Sequence, residues 1–286
     1  MRWKTFGAAL ALSLMAGLGS SSASGERVAP QVTSPRIYAL DCGGLTNNTP
    51  ERFNLKREEV SNTLMSDMCF LVVHPKGTLL WDTGIPDRFT GRPLGENQSS
   101  QYVAYIRMRS LTSQLLEIGY KPEDIKYLAL SHAHWDHSGN ANEFARTATW
   151  LVSQKERDFM FGPNGLERGR SFWDQLKDAK TTIIPDDYDV FGDGTVVLKH
   201  TPGHTPGHLV AVVKLAHTGP VILGGDLYHY NEEITLNRMP DAEKTTETPQ
   251  SRAMVIALAK KLNAQIWIAH DMALSLRLNF EPAFYD

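Results

Sequence analysis

Cysteine is scarce in this sequence, which has two in 286 residues, Cys42 and Cys69. They are too far apart along the chain to form the closely spaced pair of a thiolate zinc knuckle. In an oxidising compartment the two can form a disulfide, and otherwise they can be two small buried thiols. Because geometry decides between these alternatives, the sequence leaves both open.

Long hydrophobic runs are also missing. The main apolar stretch, residues 8–18, is shorter than the roughly 20 residues that a membrane-spanning helix needs. It follows the basic residues Arg2 and Lys4, and a small-residue segment at 21–23 comes after it. This is the pattern of a cleaved leader. We therefore predict that residues 1–23 are a signal peptide and that the mature protein is periplasmic or secreted, without stable membrane association.

Neither sign of charge is in large excess. The formal charge is −3, and loss of the leader leaves 27 basic and 32 acidic residues. A mildly acidic surface argues against nucleic acid or anionic membranes as partners and favours a small uncharged or zwitterionic substrate. Residues 24–286 are predicted to form one domain. The sequence does not decide between a monomer and a homodimer.

One segment, SHAHWDHSGN at residues 131–140, carries unusual chemistry. Within six residues it places four potential metal ligands, namely His132, His134, Asp136 and His137. Imidazole nitrogens and carboxylate oxygens are what a cation such as Zn²⁺ binds. An apolar run at 126–130 precedes the segment, which predicts a ligand loop at the end of a buried strand. The spacing favours two metal ions over one.

Further ligands come after three downstream strand-like runs. His204 follows residues 195–199 in HTPGHTPGH, Asp226 ends PVILGGD, and His270 ends QIWIAHD. Each run is apolar and about five residues long, as expected for buried strands. We therefore expect a single sheet edge to carry the whole site.

These motifs in this order, HAHWDH, TPGH, GGD and AHD, resemble the metallo-β-lactamase superfamily from about residue 36 to residue 270. The resemblance implies an α/β fold, a four-layer αββα sandwich, which periodicity alone does not separate from a doubly wound sheet. It implies that His132, His134 and His204 hold one ion, that Asp136, His137 and His270 hold the other, and that Asp226 bridges them. Zinc is expected, because the diiron branch typically has a glutamate at the position of His134.

The resemblance also implies roles for supporting residues. Two bridged Zn²⁺ ions would lower the pKa of a shared water, so that a hydroxide nucleophile replaces any serine or cysteine. Asp136 is expected to orient that nucleophile and to carry its proton to the leaving alkoxide. Asp82 is expected behind the metal histidines, and the less favoured alternative is that this aspartate before Thr-Gly only caps a turn. His208 is expected to support the ligands or to be structural.

Within the superfamily, the pattern looks most like the N-acyl homoserine lactonases, which open a lactone ring. True β-lactamases generally have Cys or Ser in place of Asp226. The alternatives are a glyoxalase II-like thioesterase, an organophosphorus or aryl ester hydrolase, and an exported binding protein without turnover. The lactonases usually have a tyrosine three residues after the bridging aspartate, where this chain has His229. We therefore expect either Tyr228 or His229 to contact the substrate carbonyl.

Local patterns predict the remaining elements. Strands are predicted at 36–41 and 149–152, and a hairpin joins 68–74 to 78–82. Helices are predicted at 107–118, 142–146, 154–161 and 248–262, the last capped at Thr248 with Pro249 as its first residue. Residues 85–105 are predicted to be a long loop or a lid, and 227–247 a loop. Four aromatic residues are predicted either to wall a pocket or to pack in the core: Trp135, Phe161, Phe172 and Trp173.

Overall fold

The computed structural model describes residues 29–46, 49–90, 103–105 and 109–286. The predicted signal peptide lies outside the described residues, and so does most of the predicted loop or lid at 85–105. Within the described part, the helices are all too short or too polar to cross a membrane.

Two mixed sheets form the centre of the fold. The larger sheet has seven strands in the order β4-β1-β2-β3-β5-β6-β7. Its strands are β1 (Arg36–Thr46), β2 (Leu64–His74), β3 (Gly77–Trp81), β4 (Val103–Tyr105), β5 (Tyr127–Ala129), β6 (Thr149–Val152) and β7 (Thr181–Ile183). β2 and β3 form the predicted hairpin, while β3, β5, β6 and β7 are parallel.

The smaller sheet has five strands in the order β12-β11-β10-β9-β8. They are β8 (Tyr188–Asp189), β9 (Val196–His200), β10 (Leu209–Lys214), β11 (Pro220–Leu223) and β12 (Gln265–Trp267). The α-helices are α1 (Leu111–Glu117), α2 (Trp135–Ser138), α3 (Gln154–Phe161), α4 (Asn231–Thr235), α5 (Thr248–Leu262) and α6 (Met272–Ser275).

Three apolar clusters show how the layers stack. One cluster joins residues from both sheets, such as Phe70 of β2 and Leu198 of β9, so the sheets pack face to face. A second covers the outer face of the larger sheet with α1 and α3. A third covers the outer face of the smaller sheet with α5, through residues such as Val255. The observed layers are therefore helix, sheet, sheet and helix, as predicted.

Several local predictions need correction. α1 is shorter than predicted, and the predicted 142–146 helix is a single 3₁₀ turn at Ala141–Glu143. α5 has its predicted bounds, but its N-cap is Glu247 and not Thr248. The predicted loop at 227–247 contains α4, because the Glu233 carboxylate accepts from the backbone N–H groups of His229 and Tyr230 and so starts a short helix in a polar segment.

The two cysteines are joined. Cys42 of β1 and Cys69 of β2 form a disulfide with their Cα atoms 5.7 Å apart. Leu40 pairs with Cys69 in the register of these antiparallel strands, and a bulge between Asp41 and Gly44 follows. The sequence left the disulfide and two free thiols open, and the structure contains the disulfide.

Candidate metal centre

The strand ends that carry the predicted ligands converge, but they belong to two sheets. His132 and His134 follow β5 of the larger sheet. His204, Asp226 and His270 follow β9, β11 and β12 of the smaller sheet, and these three strands run in one direction, so their carboxyl ends share an edge. The prediction of a single sheet edge is therefore wrong. The site lies where the ends of both sheets meet.

Four side chains form the first cluster of ligand atoms: His132, His134, His204 and Asp226. Nε2 of His132 lies 2.8 Å from Nδ1 of His134, and Nε2 of His204 lies 3.1 Å from the same atom. Asp226 Oδ2 lies 3.3 Å from His204 Nε2 and 3.7 Å from His132 Nε2. Three imidazole nitrogens and one carboxylate oxygen therefore face a common point, a donor set that suits tetrahedral zinc.

Asp136, His137 and His270 form the second cluster. Nε2 of His137 lies 3.2 Å from Nε2 of His270, and Asp136 Oδ2 lies 3.9 Å from the latter. The other oxygen of Asp226 reaches this cluster, since Oδ1 lies 2.9 Å from His137 Nε2 and 3.1 Å from His270 Nε2. The Asp226 carboxylate thus lies between the two clusters with one oxygen toward each.

The hydrogen bonds of the ligand side chains show which of their atoms are open to a metal ion. His270 Nδ1 lies 2.7 Å from the carbonyl oxygen of Ser66, which only accepts, so this contact assigns a proton to Nδ1, and in the neutral ring Nε2 then carries the lone pair. Asp82 Oδ2 lies 3.0 Å from Nδ1 of His137 and assigns a proton to that nitrogen in the same way. Two lone pairs and a carboxylate oxygen without a hydrogen-bond partner, Asp226 Oδ1, then face one another. A cation between them satisfies all three, so the residues fit a metal.

Asp82 and His208 lie directly behind the ligands. Asp82 accepts a hydrogen bond from the backbone N–H of Ser131 at 2.6 Å besides its contact with His137. His208 Nε2 accepts from the backbone N–H of Asp226 at 3.1 Å, and burial lowers the pKa of His208 well below its usual value, which keeps this acceptor neutral. Both side chains therefore fix a ligand from behind.

Gly225 is required where it stands. Its φ of +51° lies in the left-handed region. A Cβ there would lie 2.5 Å from the Cβ of Ser131 and 2.8 Å from His208 Nε2. Only glycine lets the chain turn this tightly and deliver the next residue, Asp226, between the two clusters.

Glu156 connects two ligand loops, a role that the sequence analysis missed. Its carboxylate accepts from the backbone N–H of Ala133 at 2.8 Å, from Thr205 Oγ1 at 2.8 Å and from the backbone N–H of Gly207 at 2.9 Å. Ala133 lies between two ligands, and Thr205 follows His204. The only sequence signal is Ser-x-x-Glu at the start of α3, which predicts a helix cap and not a contact with distant loops.

A family model described as metallo-beta-lactamase superfamily matches residues 63–263.

The chain belongs to the metallo-beta-lactamase superfamily.

Two relatives are similar to the chain in sequence, and one solved structure is similar to it in fold. The chain is 29% identical to N-acyl homoserine lactonase AttM of Azorhizobium caulinodans, over 89% of this chain and all of that protein. It is 31% identical to an N-acyl homoserine lactonase of a Bacillus species, over 71% of this chain and 80% of that protein. A Bacillus thuringiensis AiiA mutant with N-decanoyl-L-homoserine bound has a TM-score of 0.74 at 23% identity, over 88% and 100% of the two chains. This last likeness shows the metallo-β-lactamase fold.

In the present chain, a cavity of about 630 Å³ opens onto both ligand clusters. The apolar part of its lining is formed by Leu45, Phe53, Met65, Trp135 and Leu166. The polar part includes His229, Asp136, Asp226, Asp241 and Glu243, together with Arg52 and Arg168. A ligand in the cavity therefore contacts apolar side chains and the candidate metal centre together.

The two candidates for the carbonyl contact lie in different places. His229 lines the cavity, and its Nε2 lies 3.3 Å from Asp226 Oδ2. The Tyr228 ring lies outside the cavity, buried beneath the Arg252 guanidinium at 4.4 Å. Adjacent residues in an extended segment point to opposite sides, so only one can face the site. The geometry therefore does not support Tyr228 as the carbonyl contact, and His229 remains the candidate for it.

Two imidazole rings that line the cavity, those of His134 and His229, differ in their pKa. Burial, together with the neighbouring imidazole of His204, lowers the pKa of His134 to about 3, so the ring is neutral and one of its nitrogens carries a lone pair. Burial also disfavours the charged form of His229, but the carboxylates of Asp226 and Glu233 outweigh it and raise the pKa of His229 to about 10. One ring is therefore an acceptor for a cation, and the other is a hydrogen-bond donor.

The predicted aromatic wall is mostly core. Of the four residues, Trp135 lines the cavity. Trp173 is fully buried, and Phe161 packs edge-on against it with ring centroids 5.2 Å apart. Phe172 lies beneath the Arg88 guanidinium at 4.5 Å. The pocket interpretation holds for Trp135, and the core interpretation holds for the Phe161–Trp173 pair.

Proposed function

We propose that the protein is an exported dinuclear zinc hydrolase that opens the ring of N-acyl homoserine lactones and so quenches quorum-sensing signals. The observation that carries the proposal is the Asp226 carboxylate, which presents one oxygen to each cluster in the lining of a partly apolar cavity. The relatives named as N-acyl homoserine lactonases support the choice of substrate.

The seven side chains of the two clusters would hold the ions. His132, His134 and His204 would hold one, and Asp136, His137 and His270 would hold the other, with Asp226 shared. Imidazole nitrogens and carboxylate oxygens are donors that zinc binds. The bound ions would supply a water activated at neutral pH and a Lewis acid for the lactone carbonyl.

The protein's own groups would orient the substrate and move a proton. Asp136 lines the cavity beside His270, where its carboxylate can take a proton from the attacking water and pass it to the ring oxygen that leaves. His229 would donate its N–H to the carbonyl oxygen, where negative charge develops during attack. It would thereby replace the tyrosine that lactonases usually have at this position.

The apolar part of the cavity lining would bind the acyl chain. Phe53 and Trp135 are nearly fully buried, and Leu45 and Met65 pack in the same cluster. Burial of each methylene of an acyl chain against such a wall contributes about 0.8 kcal/mol. The cavity therefore favours lactones with an acyl chain over the bare ring.

Two features support export. The leader-like residues 1–23 have a basic start, an apolar run and small residues at their end. The Cys42–Cys69 disulfide suits an oxidising compartment, where such bonds persist. Mass spectrometry of protein recovered from the periplasm or medium should give a mature chain that begins near residue 24, and an intact N-terminus in the cytoplasm would contradict export.

A substrate panel tests the proposed activity. Zinc-loaded protein would be offered hexanoyl-homoserine lactone, a thioester, a phosphotriester and a cephalosporin, with proton release recorded. We expect the lactone to have the highest kcat/KM by at least about tenfold. Preference for the thioester or phosphotriester would assign one of the alternative hydrolases, and no turnover of any substrate would favour a binding protein.

A further inference from the structure

Glu243 is an acidic residue of the cavity wall that the ligand motifs do not include. It ends a 3₁₀ turn, Asp241–Glu243, in the connection between α4 and α5. Its Oε1 lies 2.9 Å from Nδ1 of His204, and its side chain is 11% exposed. A carboxylate that can only accept assigns the proton of this ring to Nδ1 and leaves Nε2 free for a cation.

The second oxygen of Glu243 needs positive charge nearby. Oε2 is buried and has no hydrogen-bond partner among the described residues. A buried carboxylate with an unsatisfied oxygen is unfavourable unless cationic groups lie close to it. His229 supplies one such charge, and a cation held by His204, whose ring Glu243 makes more basic, would supply another.

The loop that carries Glu243 also forms the cavity rim. Pro240, Asp241 and Ala242 line the cavity, and so do Glu51, Arg52 and Phe53 of the 3₁₀ segment Pro50–Phe53. Asn54 Nδ2 joins the two segments, because it donates to the carbonyl oxygen of Met239 at 2.6 Å and to Asp241 Oδ1 at 2.9 Å. The contact that closes the rim therefore also holds Glu243 against His204.

We propose that Glu243 is a positioning residue of the metal centre, which fixes and polarises His204. The Asn54–Asp241 contact at the rim holds the loop that carries Glu243 and so stabilises the Glu243–His204 contact. This inference rests on the proposed function, since it requires a metal ion at His204. It does not depend on which substrate is hydrolysed.

Zinc affinity of the full chain, measured by competition with a chromophoric chelator, tests the proposal. Glu243→Ala should lower the affinity for one of the two ions by about 10- to 100-fold. Glu243→Gln should lose less zinc affinity than Glu243→Ala, because its amide oxygen still accepts the hydrogen bond from His204 Nδ1 although it lacks the charge. The matched control is Glu247→Gln, which removes the same charge from an exposed position of the same connection and should leave zinc affinity unchanged.

Thermal unfolding separates positioning from a general structural role. In the metal-free protein, Glu243→Ala removes both the buried carboxylate and its hydrogen bond with His204, so the metal-free Tm of the variant is the baseline for its zinc-induced rise. The rise in Tm that Zn²⁺ produces should become smaller. A lower metal-free Tm with an unchanged zinc-induced rise would overturn the proposal.

A second variant tests the link to the rim. Asn54→Ala should lower zinc affinity in the wild-type background but not in the Glu243→Ala background, since the effect acts through Glu243. Equal losses in both backgrounds would contradict the link. If wild type binds two Zn²⁺ ions and Glu243→Ala weakens one, yet no lactone is hydrolysed, the proposed activity fails while the assignment of Glu243 stands.

Discussion

Asp226 has more contacts with candidate ligands than any other carboxylate described above. Its Oδ1 lies within 3.1 Å of His137 and His270, and its Oδ2 lies 3.3 Å from His204 and from His229. The residue is 4% exposed, so its charge requires cationic partners. At the scale of single residues, the account of the site depends on this carboxylate.

Replacement of Asp226 is therefore expected to affect both ions. Asp226→Ala should reduce bound zinc below one equivalent per chain and lower kcat/KM by at least about 10³-fold, because it removes a ligand from each cluster. Metal analysis and the lactone assay check this. Glu123→Gln, which removes an exposed carboxylate away from the ligand loops, is the control and should keep both ions. A fully metal-loaded Asp226→Ala protein would contradict the bridging position.

His229 gives a second test at this scale. Loss of a donor to the developing negative charge lowers kcat by about 10²- to 10³-fold in enzymes of this kind. We expect His229→Phe to show such a loss and His229→Tyr to restore most of the rate, because a phenol also donates. Tyr228→Phe is the matched control, since this neighbouring ring lies outside the cavity. Steady-state kinetics of the three variants would refute the role if His229→Phe kept the wild-type kcat.

The residues that could be predicted from the sequence are those that follow a recognisable strand. Each predicted ligand lies just after an apolar run, so its position in space follows from the position of the strand end. Glu156 and Glu243 could not be predicted, because their partners lie about 20 to 50 residues away along the chain and are reached through loops. The choice between Tyr228 and His229 needed the direction of one extended segment.

At the scale of elements, α3 connects the ligand loops of the two sheets. Its first turn begins at Ser153, whose hydroxyl accepts from the backbone N–H of Glu156 at 3.1 Å. The Glu156 carboxylate then reaches both the loop after β5 and the loop after β9. Burial raises the pKa of Glu156, while the three hydrogen bonds that it accepts favour its charged form.

Glu156→Gln tests this connection. An amide offers one acceptor oxygen where two oxygens accept three hydrogen bonds, so at least one buried donor loses its partner, at a cost of about 1–3 kcal/mol in unfolding free energy. We expect urea denaturation to show this loss and zinc affinity to fall with it. Asp158→Asn, an exposed acid on the same helix, should change neither. Wild-type stability in Glu156→Gln would show that the loops are held by other contacts.

Elements with a strong apolar pattern could be predicted from the sequence, and those that depend on distant contacts could not. β6 and α3 have the predicted bounds, because buried apolar residues or a Ser cap define them locally. The short polar helix α4 was not predicted, since its start depends on the Glu233 carboxylate, which accepts from the backbone N–H of Tyr230. Nothing local assigns β5 and β9 to different sheets, so the site was wrongly placed on one edge.

At the scale of the whole molecule, the C-terminal segment is fastened to the larger sheet. Backbone hydrogen bonds join Tyr285 to Ile37 and the N–H of Glu281 to the carbonyl oxygen of Ala39 at 3.1 Å. The Glu281 side chain is 4% exposed and lies 2.6 Å from Arg109. Burial outweighs this cation and raises the pKa of Glu281 to about 7.

This shift predicts how stability depends on pH. Between the ordinary pKa of 4.5 and about 7, the folded protein keeps a proton on Glu281 that the unfolded chain has lost. The stabilising contribution is therefore complete below pH 4.5 and is lost as pH rises toward 7. In metal-free protein, the decrease in Tm between pH 5 and 7.5 should be smaller for Glu281→Gln than for wild type. Glu123→Gln, an exposed acid, should follow wild type, and identical slopes for all three would contradict the shift.

The whole account requires that two metal ions bind between the sheets and that lactone hydrolysis depends on them. The most direct measurement is the rate of hexanoyl-homoserine lactone hydrolysis as Zn²⁺ is added stepwise to metal-free protein, with bound zinc determined at each step. We expect the rate to rise until two ions are bound per chain and then to stay constant. A chain that holds two zinc ions and leaves the lactone intact would contradict the account.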